Sequence, residues 1–418
     1  MNKRNFIGRM LTFLAFFSTT VLHAGTALDQ YLVEAAENNP GLKGRFNEYL
    51  ASLEKVPQAG ALPDPEAAFG YFIRPVETRV GPQKFRVSAS QMFPWFGTLG
   101  AKKDATRALA KVKYEQFKEA KSRLFFDVKS SWYDLYFTRS AIAITRDNIG
   151  ILNTFRKLAL IKVEAGLASA ADVLRVEMEI ADLENQLARL RDTFSALRTG
   201  FNNLLNVDNS REVQLPDTLE NVAFDYSTTA VLDSIRSGNH QILQMEFTET
   251  SYRKQGIAAK RSGMPGIKLG FDYMVMEKSS NPMTATSESG RDAIVFPMVG
   301  ISLPLYRQKY SAMVREAVFM QKSSNDKKHD LINALETAFD KTDKEYHDAD
   351  RRISLNMDQS AKANRALSIL RTGYETSGAD FAEVLRMERQ FLTYRLELEK
   401  ARVDKASAAA FIIYLMGK

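Results

Sequence analysis

GLASAADVLRVEMEIADLENQL (166–187) opens with a glycine-containing break and then sets apolar residues at alternating steps of three and four: Val173, Val176, Ile180, Leu183 and Leu187. Leu190, Phe194, Leu197, Phe201 and Leu204 continue the series. That alternation is a heptad seam, the stripe along which one long helix packs on another. The layout returns about 210 residues later in SGADFAEVLRMERQF (377–391), where Val384, Met387, Phe391, Tyr394, Leu398, Ala401, Lys405, Ala408, Ile412 and Leu415 keep the steps, with Lys405 the polar interruption. Each break reads as a turn between two helices.

Working outward, proline decides how long those helices run. All 12 prolines lie at 40 to 94, at 216, or at 265 to 304. The strongest helix breaker is therefore missing from Trp95 to Leu215 and from Leu305 to the C-terminus. Ahead of each turn a helix is predicted from Thr98 to Ala165 and from Gln308 to Thr376, each on the order of 100 Å long at 1.5 Å per residue. Helices of that length do not belong to a globular core.

Before each long helix the period changes from 3.6 to 2. Ile267, Leu269, Phe271, Tyr273 and Val275 alternate with Lys268, Gly270, Asp272, Met274 and Met276. Val295, Pro297, Val299, Ile301, Leu303 and Leu305 alternate with Phe296, Met298, Gly300, Ser302 and Pro304. Phe85, Val87, Ala89 and Phe93 oppose Arg86, Ser88, Ser90 and Met92, with a partner strand expected around Phe69, Tyr71 and Ile73. These segments have the length and alternation of membrane strands, apolar toward lipid and polar toward a lumen. Proline inside the 294–305 strand costs ladder hydrogen bonds, which places it at a bulge, a strand end or a pairing defect. Four strands cannot close a barrel, and an open edge in lipid would strand unpaired amides at several kcal/mol each, so copies of the chain must share one barrel. A trimer supplies twelve strands.

The first residues carry Lys3, Arg4 and Arg9, then an apolar stretch from Met10 to Leu22, then small residues around Ala24. This is the layout of a secretory signal peptide over 1–24, too short in its apolar part for a bilayer-spanning anchor. Cysteine is absent, which removes disulfides, thiolate metal sites and cysteine nucleophiles. The net charge of +7 is spread over helices of mixed sign, and nucleic-acid binding does not follow from it. There is no Gly-rich phosphate loop, no His-Glu-x-x-His and no nucleophile elbow, so neither an enzyme nor a cofactor is expected. His240, His329 and His347 have no ligand spacing and read as surface or capping residues.

The halves also match each other directly: FRVSASQMFPWFG (85–97) on VFPMVGISLPLYR (295–307), and DVLRVEM (172–178) on EVLRMER (383–389). The chain thus divides into the leader, a first repeat over 25–210, and a second over 211–418 that begins with an equatorial linker. In this order, duplicated and behind a leader, the segments resemble the TolC family of outer-membrane efflux proteins. The resemblance implies a mainly α fold with a small membrane β-barrel: a homotrimer with four strands per chain in a shared twelve-stranded barrel, standing on a long α-helical barrel that projects into the periplasm. It implies a passive exit duct in outer-membrane lipid, joined through a periplasmic adaptor to an inner-membrane pump of the RND type. The adaptor-facing tips would be Gly166, Leu167, Ala168 and Ser169 with Gly378, Ala379, Asp380 and Phe381. The tip gate would be Asp172 and Glu383, whose copies form carboxylate rings, with Arg386 standing where the family carries a further acid. The general pattern is similar to the heavy-metal branch of that family. Met92, Met274, Met276 and Met298 share the side predicted to face the lumen, and thioethers suit Cu(I) or Ag(I). A periplasmic coiled-coil adaptor or structural protein is the alternative; it would carry one hairpin flanked by compact β domains rather than two hairpins and two strand pairs.

Overall fold

The computed structural model describes residues 27–219, 227–279, 287–376 and 380–418. The expected leader, and Ser377, Gly378 and Ala379 of the second tip, lie outside them. In chain order the elements are α1 (Ala27–Asn38), α2 (Pro40–Gly60), β1 (Glu66–Tyr71), β2 (Glu77–Thr78), β3 (Gly81–Phe93), α3 (Thr98–Glu164), α4 (Ala170–Leu205), α5 (Thr228–Gly238), α6 (His240–Ser262), β4 (Gly266–Met276), β5 (Ala293–Ser302), α7 (Arg307–Glu375) and α8 (Phe381–Leu415). The two proline-free gaps hold one helix of 67 residues and one of 69, each followed by a helix half as long.

The chain forms two compact units, and both sequence repeats contribute to each. The first comprises residues 1–40, 121–226 and 339–414. Its core draws Ile144, Leu152 and Phe155 from α3, Val173, Val176, Ile180 and Leu183 from α4, Leu367 and Tyr374 from α7, and Phe381, Val384, Leu385 and Leu392 from α8. The upper seam of α4 is thus buried as the heptad predicts. Leu190, Phe194 and Leu197 are only half covered, and toward the end of the helix Leu205 is buried where the heptad named Leu204. Asn206 stops α4 in the left-handed conformation, φ 55°, with its N–H on the carbonyls of Asn202 and Asn203. Lys405, the polar break in the second seam, is buried and donates to Asp350 at 2.6 Å, its ammonium 5.1 Å from the centre of the Tyr346 ring. The partner sits 55 residues away, so the seam alone could not supply it.

The second unit comprises residues 41–120, 227–338 and 415–418. It carries an antiparallel sheet of order β1-β3-β4-β5, with two-residue β2 pairing the start of β3. Helices α5 and α6 meet at Asn239, whose side chain accepts from the N–H of Gln241 at 2.9 Å and donates to the Leu415 carbonyl at 2.9 Å. Gly417, at φ +75°, passes so close that a Cβ would stand 2.3 Å from the Gly238 carbonyl oxygen; no other residue fits there. His240 follows directly and corrects the surface assignment: α6 starts against α3, so the imidazole is buried, its Nδ1 2.9 Å from Glu115 Oε2. His329 and His347 are exposed.

Candidate functional site

Strand register sorts every residue of the sheet onto one of two faces. On the first, Ile267 lies between Phe93 and Ile301, Leu269 between Gln91 and Val299, Phe271 opposite Ala89, and Tyr273 between Val87 and Ile294. Phe69 and Tyr71 of β1 extend this face beside Val87 and Phe85. It is uncovered: Phe69 is 81% exposed, Val299 61% and Ile301 66%. So large a contiguous apolar surface is a contact surface, not a solvent face. The opposite face is polar. Arg86 pairs with Asp272, Lys268 donates to Glu66 at 2.6 Å, and Ser88 and Ser90 lie between. Asp272 is buried, and one carboxylate oxygen has no hydrogen-bond partner among the described residues.

Two expectations for the strands change. Ile73 falls beyond β1, in a bend. In β5 the register slips between Gly270 and Asp272, where one extra residue around the Phe296–Pro297 pair bulges out of the ladder. Beyond it the phase inverts. Val295 therefore lies opposite Asp272 on the polar side, and Ile294 takes the outward place beside Tyr273. Proline has no N–H to give the ladder, so the bulge forms there. Both outer strands, β1 and β5, keep one edge unpaired within the chain.

Met92, Met274, Met276 and Met298 all fall on the polar face, at the rungs of Lys268, Arg86, Gln83 and Gly270. At about 3.3 Å per residue the outermost rungs of β4 in this set are some 25 Å apart, so the four sulfurs do not converge on one ion. Among the described residues no cluster of His, Cys, Asp and Glu could hold a metal either.

The two tips lie in the first unit. Helix α3 ends when Gly166 takes φ +71°; the Leu167 N–H returns to the Lys162 carbonyl at 2.8 Å and the Gly166 N–H to Val163 at 3.0 Å. Nothing lies within 4 Å of where a Gly166 Cβ would stand, so it is the backbone conformation and not space that calls for glycine. Ser169 caps α4 by accepting from the Ala171 N–H. Leu167 is 66% exposed, Ala168 half covered and Ser169 open to solvent. At the second tip, Asp380 caps α8 by accepting from the Ala382 N–H at 3.0 Å. Phe381 is turned inward, 1% exposed, its ring 4.9 Å from that of Tyr374. It supports the tip from beneath. Lys162, also buried, ties one hairpin to the other: its ammonium donates to the Tyr374 carbonyl and lies 4.5 Å from the ring centre.

The gate residues are all paired. Asp172, in the first turn of α4, accepts from Arg175 at 3.1 Å; Glu383, in the first turn of α8, accepts from Arg386. Both carboxylates also face the positive end of a helix dipole. Arg389 crosses from α8 to Glu179 of α4 at 2.6 Å. Sequence reasoning did not mark Glu388, which is buried among Val384, Leu385 and Leu392 and accepts from the Asn148 side chain, its other oxygen without a partner among the described residues. Burial pushes its carboxyl up to about 7, against the opposing pull of Arg395 and of the Asn148 hydrogen bond. Burial and then Asp172 raise the Tyr374 hydroxyl as well. An acid one helical turn after the seam residue Val384 was the available signal, but its partner lies on another helix, 240 residues away.

No protein-family model and no curated sequence matches the chain. Solved structures do. The outer-membrane channel OprN superposes with a TM-score of 0.77 at 15% identity, over 94% of this chain and 90% of that one. The outer membrane protein VceC of Vibrio cholerae gives 0.76 at 14% identity, over 93% and 96%. CusC, known from structures of its folding and transmembrane channel formation, gives 0.75 at 15% identity, over 93% and 91%. At such low identity the likeness establishes the architecture: long helices and a small antiparallel sheet arranged as in these channels.

Proposed function

From a chain with the fold of the TolC-type outer-membrane channels, we propose a homotrimeric exit duct of a tripartite efflux assembly, passive in itself and supplied by an inner-membrane pump of the RND type through a periplasmic adaptor. One observation carries this reading: a four-stranded sheet with an uncovered apolar face and two open edges. In hydrocarbon such edges are tolerated only when paired, and three copies close them into twelve strands around a polar lumen. Among the described residues no helix is apolar enough to cross a membrane, so insertion falls to the strands.

The adaptor meets the tips, where Gly166, Leu167, Ala168 and Ser169 are presented with Asp380. Three copies each of Asp172 and Glu383 ring the narrow end and favour cations, while Arg386, bound to Glu383, straps the gate shut. Heavy-metal cations are the cargo favoured here. The spread of the four methionines fits passage of soft ions better than their storage.

The test is oligomeric state and conductance. A detergent-dependent trimer that conducts in planar bilayers is expected. A monomer freely soluble in buffer overturns the reading in favour of a periplasmic adaptor or structural protein. For the cargo, deleting the gene should abolish copper or silver tolerance and leave drug tolerance intact; the reverse pattern removes the metal assignment.

A further inference from the structure

A groove of about 670 Å³ opens in the second unit where β5 ends and α7 begins, beside the end of α6. Leu303, Leu305 and Met264 give it apolar walls, and Lys260, Arg307 and Tyr310 give it a polar mouth. Among the described residues no acidic side chain lines it. Among the described residues, too, neither the Lys260 ammonium nor the Arg307 guanidinium has a carboxylate or hydrogen-bond partner, and both are exposed. The neighbouring Arg261 differs, since it donates to the Gly97 carbonyl at 2.7 Å.

We propose that this groove binds an anionic glycerophospholipid, its phosphate held by Lys260 and Arg307 and its upper acyl chain laid along Leu303 and Leu305. The inference rests on the outer-membrane reading above. Two features single out this occupant. First, the groove continues the apolar face of the sheet: Val299 and Ile301 point outward four and two residues before Leu303, and Leu305 and Tyr306 are 78% and 85% exposed. The change from apolar side chains to unpaired cations therefore falls within a few residues, as a lipid changes from chain to phosphate. Second, the charge is complementary. A guanidinium and an ammonium over one pocket suit a phosphate, which Arg grips with two parallel bonds.

The full chain, purified in detergent as its native oligomer, should be titrated with dioleoylphosphatidylglycerol and with dioleoylphosphatidylcholine and read by native mass spectrometry. The anionic lipid is expected to bind about tenfold more tightly, because each cation near a lipid surface contributes a several-fold preference. The double variant Lys260→Gln, Arg307→Gln should bring the two lipids within about twofold, and inorganic phosphate alone should not compete. An unchanged preference in the double variant overturns the proposal. So does equal binding of both lipids by a protein that still inserts and conducts, a result that leaves the duct itself standing. Because the chain has no cysteine, Ser311→Cys gives a single thiol at the groove. Labelling by a bulky maleimide should be rapid in the delipidated oligomer and slowed by the anionic lipid only. A thiol that stays unreachable in the oligomer means that a neighbouring copy fills the groove, and the lipid site falls.

Discussion

The hairpin tips and the sheet are built from the same apolar residue types and use them in opposite ways. Behind the tips, Phe381 is 1% exposed, and four helices of one chain close the core over it. On the sheet, Ile301 is 66% exposed, and nothing among the described residues covers it. The core behind the tips is closed; the apolar face of the sheet is open. Hydrophobic burial therefore stabilises the first region within one copy, whereas in the proposed duct the second would gain its share from lipid and from the strands of other copies.

The sharpest way to break this contrast is to empty the tip core. Phe381→Ala should cost about 3–5 kcal/mol locally, because the cavity beneath Tyr374 cannot collapse onto a helix pair held by Lys162. Hydrogen exchange should show α8 losing protection near its start while the sheet is unchanged. Equal loss in both regions would mean that they fold as one.

Glu388 gives the next largest effect, and its sign can be worked out. Its ordinary value is 4.5 and burial holds it near 7 in the fold, so between those values the folded chain keeps a proton that the unfolded chain has released. The contribution of Glu388 to stability should be greatest below about pH 4.5, fall as pH rises to about 7, and stay level above, a loss on the order of 3 kcal/mol. Glu388→Gln keeps the shape and the approach to Asn148 and should flatten that slope, making the variant the more stable protein at pH 8. Urea midpoints measured across pH 4 to 8 decide it, and a wild-type slope surviving in the variant removes Glu388 as its source.

For the sheet, Phe271→Arg, at the middle of β4 on the apolar face, should leave the helical units intact and cost about 2–4 kcal/mol per chain on insertion, the figure for a cation placed mid-bilayer on a barrel's lipid face. Folding yield into vesicles against helicity in detergent separates the two. Val295→Arg, on the first rung past the bulge and on the polar side, should be far milder. Sequence alternation alone puts Val295 on the lipid face and predicts equal damage from both.

That pair marks where the sequence stops being informative. Periodicity and proline spacing placed the long helices within a residue or two and the strands on their faces, because helix length and pleat are local properties. The bulge inverted one strand because a proline announces a defect without saying which way the phase resumes. His240, Lys405 and Glu388 were misjudged or missed for one common reason: their partners Glu115, Asp350 and Asn148 lie 125, 55 and 240 residues away. A lone polar residue gives no sign of a partner on another helix. Phe381 looked like a tip residue by position, and only its packing shows that it faces Tyr374.

The smallest effect on stability carries the question of the gate. Arg386 and Glu383 are neighbours on one helical turn, and the arginine is largely exposed, so Arg386→Ala should change stability by less than about 1 kcal/mol. Its effect on conductance should be larger than its effect on folding. Freed of its cation, Glu383 adds a full negative charge to each of three copies, and repulsion among carboxylates grows as water is excluded from a narrow end. Raised closed-state conductance and stronger cation selectivity in planar bilayers are expected, both diminishing with added salt as the charges are screened. An unchanged closed state would show that Lys162 and the core beneath the tips hold the narrow end together without help from surface charge, which would extend the self-sufficiency of that region to its outermost turn.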